Sequence, residues 1–276
     1  MNGSNRTYLL PPLLRWAGSK RQHLSTLRGL VPNFNGRYIE PFAGSACLYW
    51  DLAPSKARIS DLNEDLINCY KQVRDTPHAI YATYSLLENN SDTYYSVREK
   101  YHSETDQDIR SAYFLYLNRY CFNGLYRISK KGKFNVPYGG SRTGSLPSLE
   151  RLLQYSAKLQ DVELLSLDFA DCLSDVTEGD FVYLDPPFYA ADVRVFREYN
   201  ATPFEVKDLE RFEKALMTVD AAGAVFVASY LDTPEISEIA SRWRGEKLSI
   251  LRRMSGFQAG RKRTDEIVFT NLALSN

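Results

Sequence analysis

The chain has 276 residues, a formal net charge of zero, 44% apolar and 25% charged residues, the composition of a soluble globular protein long enough for one large α/β domain or for a main domain carrying an insert. A neutral balance excludes whole-chain attraction to a polyanion, and the lack of a leader pattern or of an apolar run long enough to span a bilayer predicts a cytoplasmic protein. Cys47, Cys69, Cys121 and Cys172 are widely separated, and His23, His78 and His102 have neither metal-ligand spacing nor an evident nucleophile beside them, which excludes a zinc site, a disulfide framework and a hydrolytic triad.

Along the chain, residues 37–40 predict a short strand that runs into the small-residue turn "PFAGSA" and then a helix over 47–52. A second strand is expected at 57–60. In the "DLNEDLINCYKQV" that follows, Leu66, Ile67, Tyr70 and Val73 recur at helical spacing, and Asp61 with Glu64 forms a capping box at the helix start. Residues 77–150 break the alternation. Polar helices lead into the glycine-rich "FNGLYRISKKGKFNVPYGGSRTGSLPS", read as an inserted subdomain in which Tyr94, Tyr95 and "SETDQD" are ordinary surface and the aromatic stretch 113–122 is core except at its end. Alternation returns with "VELLSL" before Asp168, "DFVYL" before Asp185 and "AVFVAS" at 224–229. Between the last two, "TPFE" predicts a helix start, with Thr202 as N-cap, Pro203 at the first helical position and Glu205 closing the box. Val206, Leu209, Phe212, Leu216 and Val219 then share one face. Residues 247–254 and 266–272 predict a closing hairpin with a basic tip. Strands alternating with helices imply a largely parallel sheet whose ligands sit at the carboxyl ends of the strands.

The charge is unevenly spread. Residues 109–149 contain no Asp or Glu but carry Arg110, Arg119, Arg127, Lys130, Lys131, Lys133 and Arg142, and a second cluster holds Arg252, Arg253, Arg261, Lys262 and Arg263. Two basic patches on a neutral protein suggest an anionic partner at one face, although solvated side chains on loops explain either patch taken alone.

Every notable polar cluster follows a predicted strand: "IEPFAGS", Asp61, "DF" at 168–169 and "DPPF" at 185–188. Gly44 allows close approach of a ligand to the backbone, and Asp61 sits where an acid can take two hydrogen bonds from ribose hydroxyls, so a nucleoside is expected. Glu40 would repel a diphosphate and suits a cation. In "DPPF", Pro186 and Pro187 fix the backbone and supply no amide donor. Asp185 and the carbonyl of Pro186 could receive the two hydrogens of an exocyclic amine, while Phe188 offers a flat face to a planar base. Such a site works by orientation and electrostatics, holding the nitrogen lone pair towards an electrophile.

With these motifs in this order, the sequence resembles the Dam-type (class alpha, D12 family) DNA adenine-N6 methyltransferases, which use S-adenosylmethionine and no metal. "LLRWAGSK", "YIEPFAGSA", "DLNEDL", "LNRYCFNGLYR" with "GKFNVPYG", "DPPF" and "GRKRTDEIVFTN" cover nearly the whole chain. The resemblance implies a Rossmann-like methyltransferase fold. Its mixed, mostly parallel seven-stranded sheet would end in a C-terminal hairpin, with a mainly helical inserted subdomain. Residues 1–76 and 151–276 would form the catalytic domain and 77–150 the target-recognition domain.

Carried over position by position, it implies that Trp16, Ala17, Gly18 and Lys20 lie over the cofactor and that Pro41, Phe42, Gly44 and Ser45 form the methionine-binding loop. Glu40 would stand near the amino or sulfonium charge, Asp61 at the ribose, Asp168 and Phe169 at the adenine ring, and Asp185 beside the cofactor. The catalytic pocket would be Asp185, Pro186, Pro187 and Phe188. Arg119, Phe122, Asn123, Gly124, Leu125, Arg127, Lys133, Asn135 and Pro137, with Arg261, Lys262 and Arg263, would contact double-stranded DNA, at GATC. Three departures stand out: Ala46 where the family usually has Gly, Phe188 where Tyr is commoner, and Gly140 where some relatives carry a basic residue. A monomer in a bacterial or phage-infected cell is expected, and a restriction endonuclease partner is admitted. Methylation of cytosine N4 or of an RNA base amine, and a non-catalytic DNA-binding relative, remain the alternatives.

Overall fold

The computed structural model describes residues 10–187, 204–243 and 266–272. Six strands are found there: β1 (Tyr38–Glu40), β2 (Ala57–Ser60), β3 (Val162–Leu165), β4 (Phe181–Leu184), β5 (Val225–Leu231) and β6 (Glu266–Thr270). They form one sheet in the order β3-β2-β1-β4-β5-β6, parallel except for β6, which runs antiparallel to β5. The sheet is thus mixed and mostly parallel as expected, but has six strands among the described residues, not seven. The segment 247–254, expected as the other half of the hairpin, lies outside them.

Among the described residues ten α-helices accompany the sheet: α1 (Leu24–Leu30), α2 (Cys47–Leu52), α3 (Glu64–Asp75), α4 (Pro77–Ser85), α5 (Ser91–Tyr101), α6 (Gln107–Tyr120), α7 (Leu149–Leu159), α8 (Phe169–Cys172), α9 (Val206–Ala221) and α10 (Pro234–Ala240). Side chains alternate across a strand, and here the alternation sorts the core into two. Tyr38, Phe181, Tyr183 and Val227 face one apolar cluster with α1 to α7. Ile39, Val182, Leu184, Phe226 and Ala228 face the other, with α8, α9 and α10. Both faces are covered, so β1, β2 and β4 are buried along their whole length, Glu40, Arg58 and Ser60 included, as strands inside a parallel sheet are.

The strand order reverses direction between β1 and β4. The carboxyl ends of these two neighbours, Glu40 and the residues after Leu184, therefore border the crevice where such sheets take ligands. At the opposite end Asp180 ties the same strands together, accepting from the Arg37 amide at 2.7 Å and from its guanidinium at 2.7 Å.

Local details differ from the sequence expectation in four places. The N-cap of α3 is Asn63, whose Oδ1 accepts from the Leu66 amide at 3.0 Å, because the oxygens of Asp61 are taken by other amides. Helix α9 starts at Val206 behind a Glu205–Asp208 box in which the Glu205 amide donates to Asp208 at 2.9 Å; Thr202 and Pro203 lie outside the described residues. Val206, expected on the buried face, is exposed, and Ala215 takes its place in the core with Leu209, Phe212, Leu216 and Val219. Tyr94 is fully buried, its ring 5.4 Å from that of Tyr138 and its hydroxyl donating to the Val136 carbonyl at 2.9 Å. It anchors the loop that follows α6; Tyr95 stays at the surface. No described helix is long and apolar enough to cross a membrane.

Candidate active site

The turn after β1 is built on two left-handed residues, Gly44 (φ +46°) and Ala46 (φ +48°). A side chain at Gly44 would put its Cβ 2.7 Å from Trp16 Cδ1, so only glycine lets the indole lie on the turn. Ala46 adopts the conformation for which glycine is favoured, which gives a backbone reason for the residue usual at this position in the family the sequence resembles. The turn is fixed by backbone and side-chain bonds: the Ala43 amide to the Ser60 carbonyl at 2.9 Å, and the Tyr70 hydroxyl to the Gly44 carbonyl at 2.9 Å. Asp61 holds both sides, accepting from the Gly44 amide on Oδ2 and from the Asn63 amide on Oδ1, each at 2.9 Å. Each oxygen keeps a further lone pair for a donor such as a hydroxyl. Burial raises the Asp61 carboxyl above its ordinary range, although both amides pull the other way.

The segment before α1 lies over this turn. Trp16 stacks on Tyr126 with ring centroids 5.2 Å apart. Gly18, at φ +84°, allows the sharp turn that follows, Ser45 Oγ donates to Ser19 Oγ at 2.9 Å, and Lys20 is carried into the crevice with 2% of its side chain exposed. There Lys20 Nζ lies 2.5 Å from Asp185 Oδ1 and 3.5 Å from Glu266 Oε2.

Asp185 follows β4 directly. Its Oδ1 also accepts from Ser229 Oγ at 3.1 Å, and the carbonyl of Pro187 accepts from the Tyr230 hydroxyl at 3.1 Å. By contrast Asp185 Oδ2 and the Pro186 carbonyl accept nothing from the described residues. Phe188 lies outside those residues. Glu40 is buried at the neighbouring strand end and accepts from the Tyr38 hydroxyl at 2.8 Å. Burial pushes its carboxyl up to about 8, against the Tyr38 hydrogen bond and with the help of the nearby Asp185 and Asp61 charges. A crevice with four carboxyl groups, those of Glu40, Asp61, Asp185 and Glu266, against the one ammonium of Lys20 is suited to a further cation. A sulfonium donor with an amino group fits it, and an anionic diphosphate does not.

Asp168 caps α8, its Oδ1 accepting from the Ala170 amide at 3.0 Å and pairing with Arg211 at 2.5 Å. The Arg211 guanidinium lies 4.8 Å above the Phe169 ring, and Phe169 lies 5.1 Å from Phe42. Arg211, Ser229 and Glu266 border the crevice with no role assigned to them from the sequence. Glu266 falls within the quoted "GRKRTDEIVFTN", whereas Arg211 and Ser229 carry only helical spacing and strand position as local signals.

The segment between α6 and α7 carries the residues expected to meet DNA. Phe122 and Asn123 are exposed, Asn123 at φ +55°, and the Arg142 guanidinium lies 5.6 Å from the Phe122 ring. Gly124 (φ +66°) sits against Arg15, where a Cβ would come within 2.5 Å of the Arg15 Cβ. Leu125 is half-buried. Arg127 is aimed by Asn135, with its Nε donating to Asn135 Oδ1 at 2.7 Å. Lys130, Lys131, Lys133 and Pro137 are exposed. Arg119 instead turns inward and donates to the Leu13 carbonyl. Asn118 brackets Arg15, accepting from its amide at 2.9 Å and donating to its carbonyl at 2.7 Å. Arg261, Lys262 and Arg263 lie outside the described residues.

Comparison with known proteins gives the family. The chain is 32% identical over 274 residues to a type II methyltransferase of Lactococcus lactis subsp. cremoris, covering 95% of each chain. It is 34% identical over 241 residues to a type II methyltransferase of Methanocaldococcus jannaschii, covering 79% of this chain and 83% of that one. To a DNA adenine methylase of Escherichia coli K12 it is 29% identical over 261 residues, 92% of this chain and 93% of the other. Residues 16–254 match the family described as D12 class N6 adenine-specific DNA methyltransferase, and since that span includes both crevice loops and the segment between α6 and α7, the chain belongs to this family of adenine-specific DNA methyltransferases.

Proposed function

We propose that the protein moves a methyl group from S-adenosylmethionine to N6 of an adenine in double-stranded DNA, at GATC, after the base has been turned out of the duplex. Turning the base out costs a few kcal/mol, drawn from contacts made in the pocket and along the DNA. The cofactor supplies an electrophilic methyl on a sulfonium. Glu40, whose proton an incoming sulfonium would displace, would supply a counter-charge, Asp61 would accept from the ribose, Trp16 and the Gly44 turn would shape the floor, and Asp168 with Phe169 would take the adenine of the cofactor once Arg211 releases Asp168 Oδ1. Lys20 and Ser229 hold Asp185 in place. Asp185 and the Pro186 carbonyl accept the two N6 hydrogens, which leaves the nitrogen lone pair directed at the methyl carbon. Phe188 would stack on the target base. Phe122, Asn123 and Arg127 are proposed to read or enter the duplex, with the insert 77–150 as the recognition domain and Lys133 at phosphates.

The observation that carries the reading is that, among the described residues, nothing donates to Asp185 Oδ2 or the Pro186 carbonyl, while their neighbours Asp185 Oδ1 and the Pro187 carbonyl are engaged. Incubation with labelled S-adenosylmethionine and unmethylated DNA, followed by nucleoside analysis and site mapping, tests it. N6-methyladenine confined to GATC is expected, and Asp185→Ala should abolish it. N4-methylcytosine, or label in RNA alone, would replace the substrate assignment. N6-methyladenine at other sites would keep the pocket and discard GATC.

A further inference from the structure

Asp185 has two oxygens, and the amine can use only one that is free and correctly turned. Around Oδ1 the fold has gathered three groups from different parts of the chain. Lys20 comes from the segment before α1, Ser229 from β5 and Glu266 from the first position of β6. Ser229 is fully buried and can turn its proton only towards an acceptor. Its Oγ lies 3.2 Å from the Tyr183 hydroxyl and 3.1 Å from Asp185 Oδ1. With its own proton given to the carboxylate, it takes the Tyr183 proton, which fixes the direction of the chain of bonds.

Glu266 acts at one remove. A lone lysine at 2.5 Å would neutralise Asp185 and weaken it as an acceptor. Here the ammonium also lies 3.5 Å from Glu266 Oε2, so its charge is shared between two acidic side chains and Asp185 keeps more of its own. That charge would face N6 as the nitrogen gains positive character: the N–CH3 bond forms as the S–CH3 bond breaks, S-adenosylhomocysteine leaves, and one N6 proton passes by way of Asp185 Oδ2 to water.

We infer that Ser229 and Glu266 are positioning residues for methyl transfer. Ser229 and Lys20 occupy Oδ1, so that Oδ2 alone is presented to the amine, and Glu266 shares the lysine charge so that Asp185 stays a strong acceptor. The inference rests on the proposed role of Asp185 as acceptor of an N6 hydrogen.

The test uses the full chain with Ser229→Ala and Glu266→Gln. Three quantities are measured: S-adenosylhomocysteine affinity by calorimetry, fluorescence of a duplex with 2-aminopurine at the target position, and the single-turnover rate of N6-methyladenine formation. Each variant is expected to lower the single-turnover rate tenfold or more while S-adenosylhomocysteine affinity and 2-aminopurine fluorescence stay within threefold of the unsubstituted protein. A rate within threefold, or a rate loss matched by an equal loss of S-adenosylhomocysteine affinity, overturns the inference. If Glu266→Gln does not fold, Ser229→Ala, which removes one oxygen atom, decides alone. If the unsubstituted protein forms no N6-methyladenine, it is the substrate assignment that fails, which is distinct from normal transfer surviving both substitutions.

Discussion

Glu40 ties the chemistry of the crevice to pH. Its carboxyl titrates near 4.5 in an unfolded chain and is pushed up to about 8 in the fold by burial. A raised carboxyl favours the folded state while protonated. The contribution is therefore complete below about 4.5 and is lost as pH rises through about 8. Glu40→Gln should leave the melting temperature of the cofactor-free protein nearly unchanged at about pH 3.5, where both states of the natural chain still hold the proton in large part. At about pH 9 it should stabilise by on the order of a few kcal/mol, since a tenfold difference in proton affinity between the two states is worth about 1.4 kcal/mol. Thermal melts at the two pH values check this, and equal changes at both would contradict it. Gly44→Ala meets two obstacles together, the left-handed backbone and the Trp16 indole 2.7 Å away. It is expected to cost about 1–2 kcal/mol of stability and to weaken S-adenosylhomocysteine binding at least tenfold by calorimetry. At this scale the placement of Asp61 and Asp185 at the sheet edge is legible in the sequence, because each directly follows a run that reads as a strand. Arg211, Ser229 and Glu266 are not, because their partners are brought to them only by the sheet order.

Among the elements, bounds are legible where neighbours confine them and caps are not. Residues 57–60 and 47–52 have the bounds read from sequence: the short strand ends at an acid even though it buries Arg58 and Ser60, and a helix that follows a glycine turn has little room to slide. Caps depend on which acceptor wins a given amide. Asp61 does not take its expected capping role because the Gly44 and Asn63 amides claim its oxygens. Tyr94 escapes sequence reading because a tyrosine in a polar helix gives no local sign that its hydroxyl will reach the Val136 carbonyl. Helix α6 supplies the test at this scale. Asn118, 4% exposed, is bonded to both the amide and the carbonyl of Arg15, so Asn118→Ala leaves two backbone groups without partners. It should cost roughly 2–4 kcal/mol in urea denaturation. Trp16, one residue further on, should shift with it, so S-adenosylhomocysteine affinity is expected to fall as well.

For the molecule as a whole, a net charge of zero beside an acid-free basic segment makes any attraction to DNA local. Substituting Lys130, Lys131 and Lys133 by Ala is therefore expected to flatten the salt dependence of DNA binding, by about 0.9 in the logarithmic slope for each lysine that sits on a phosphate. Binding titrations at several salt concentrations check it, and an unchanged slope would return these lysines to solvated surface. The parallel sheet is legible from alternation, while the reversal of order between β1 and β4 follows from how helices cover both faces, which no local pattern states. The place of β6 in this order also bears on synthesis. It is made after every other described strand, and until it arrives the long edge of β5 is an unpaired row of amides and carbonyls, open to another chain. A growing polypeptide would therefore hold Lys20 and Asp185 side by side without their second carboxylate, so the modifying machinery stays incomplete on the ribosome until Glu266 has emerged.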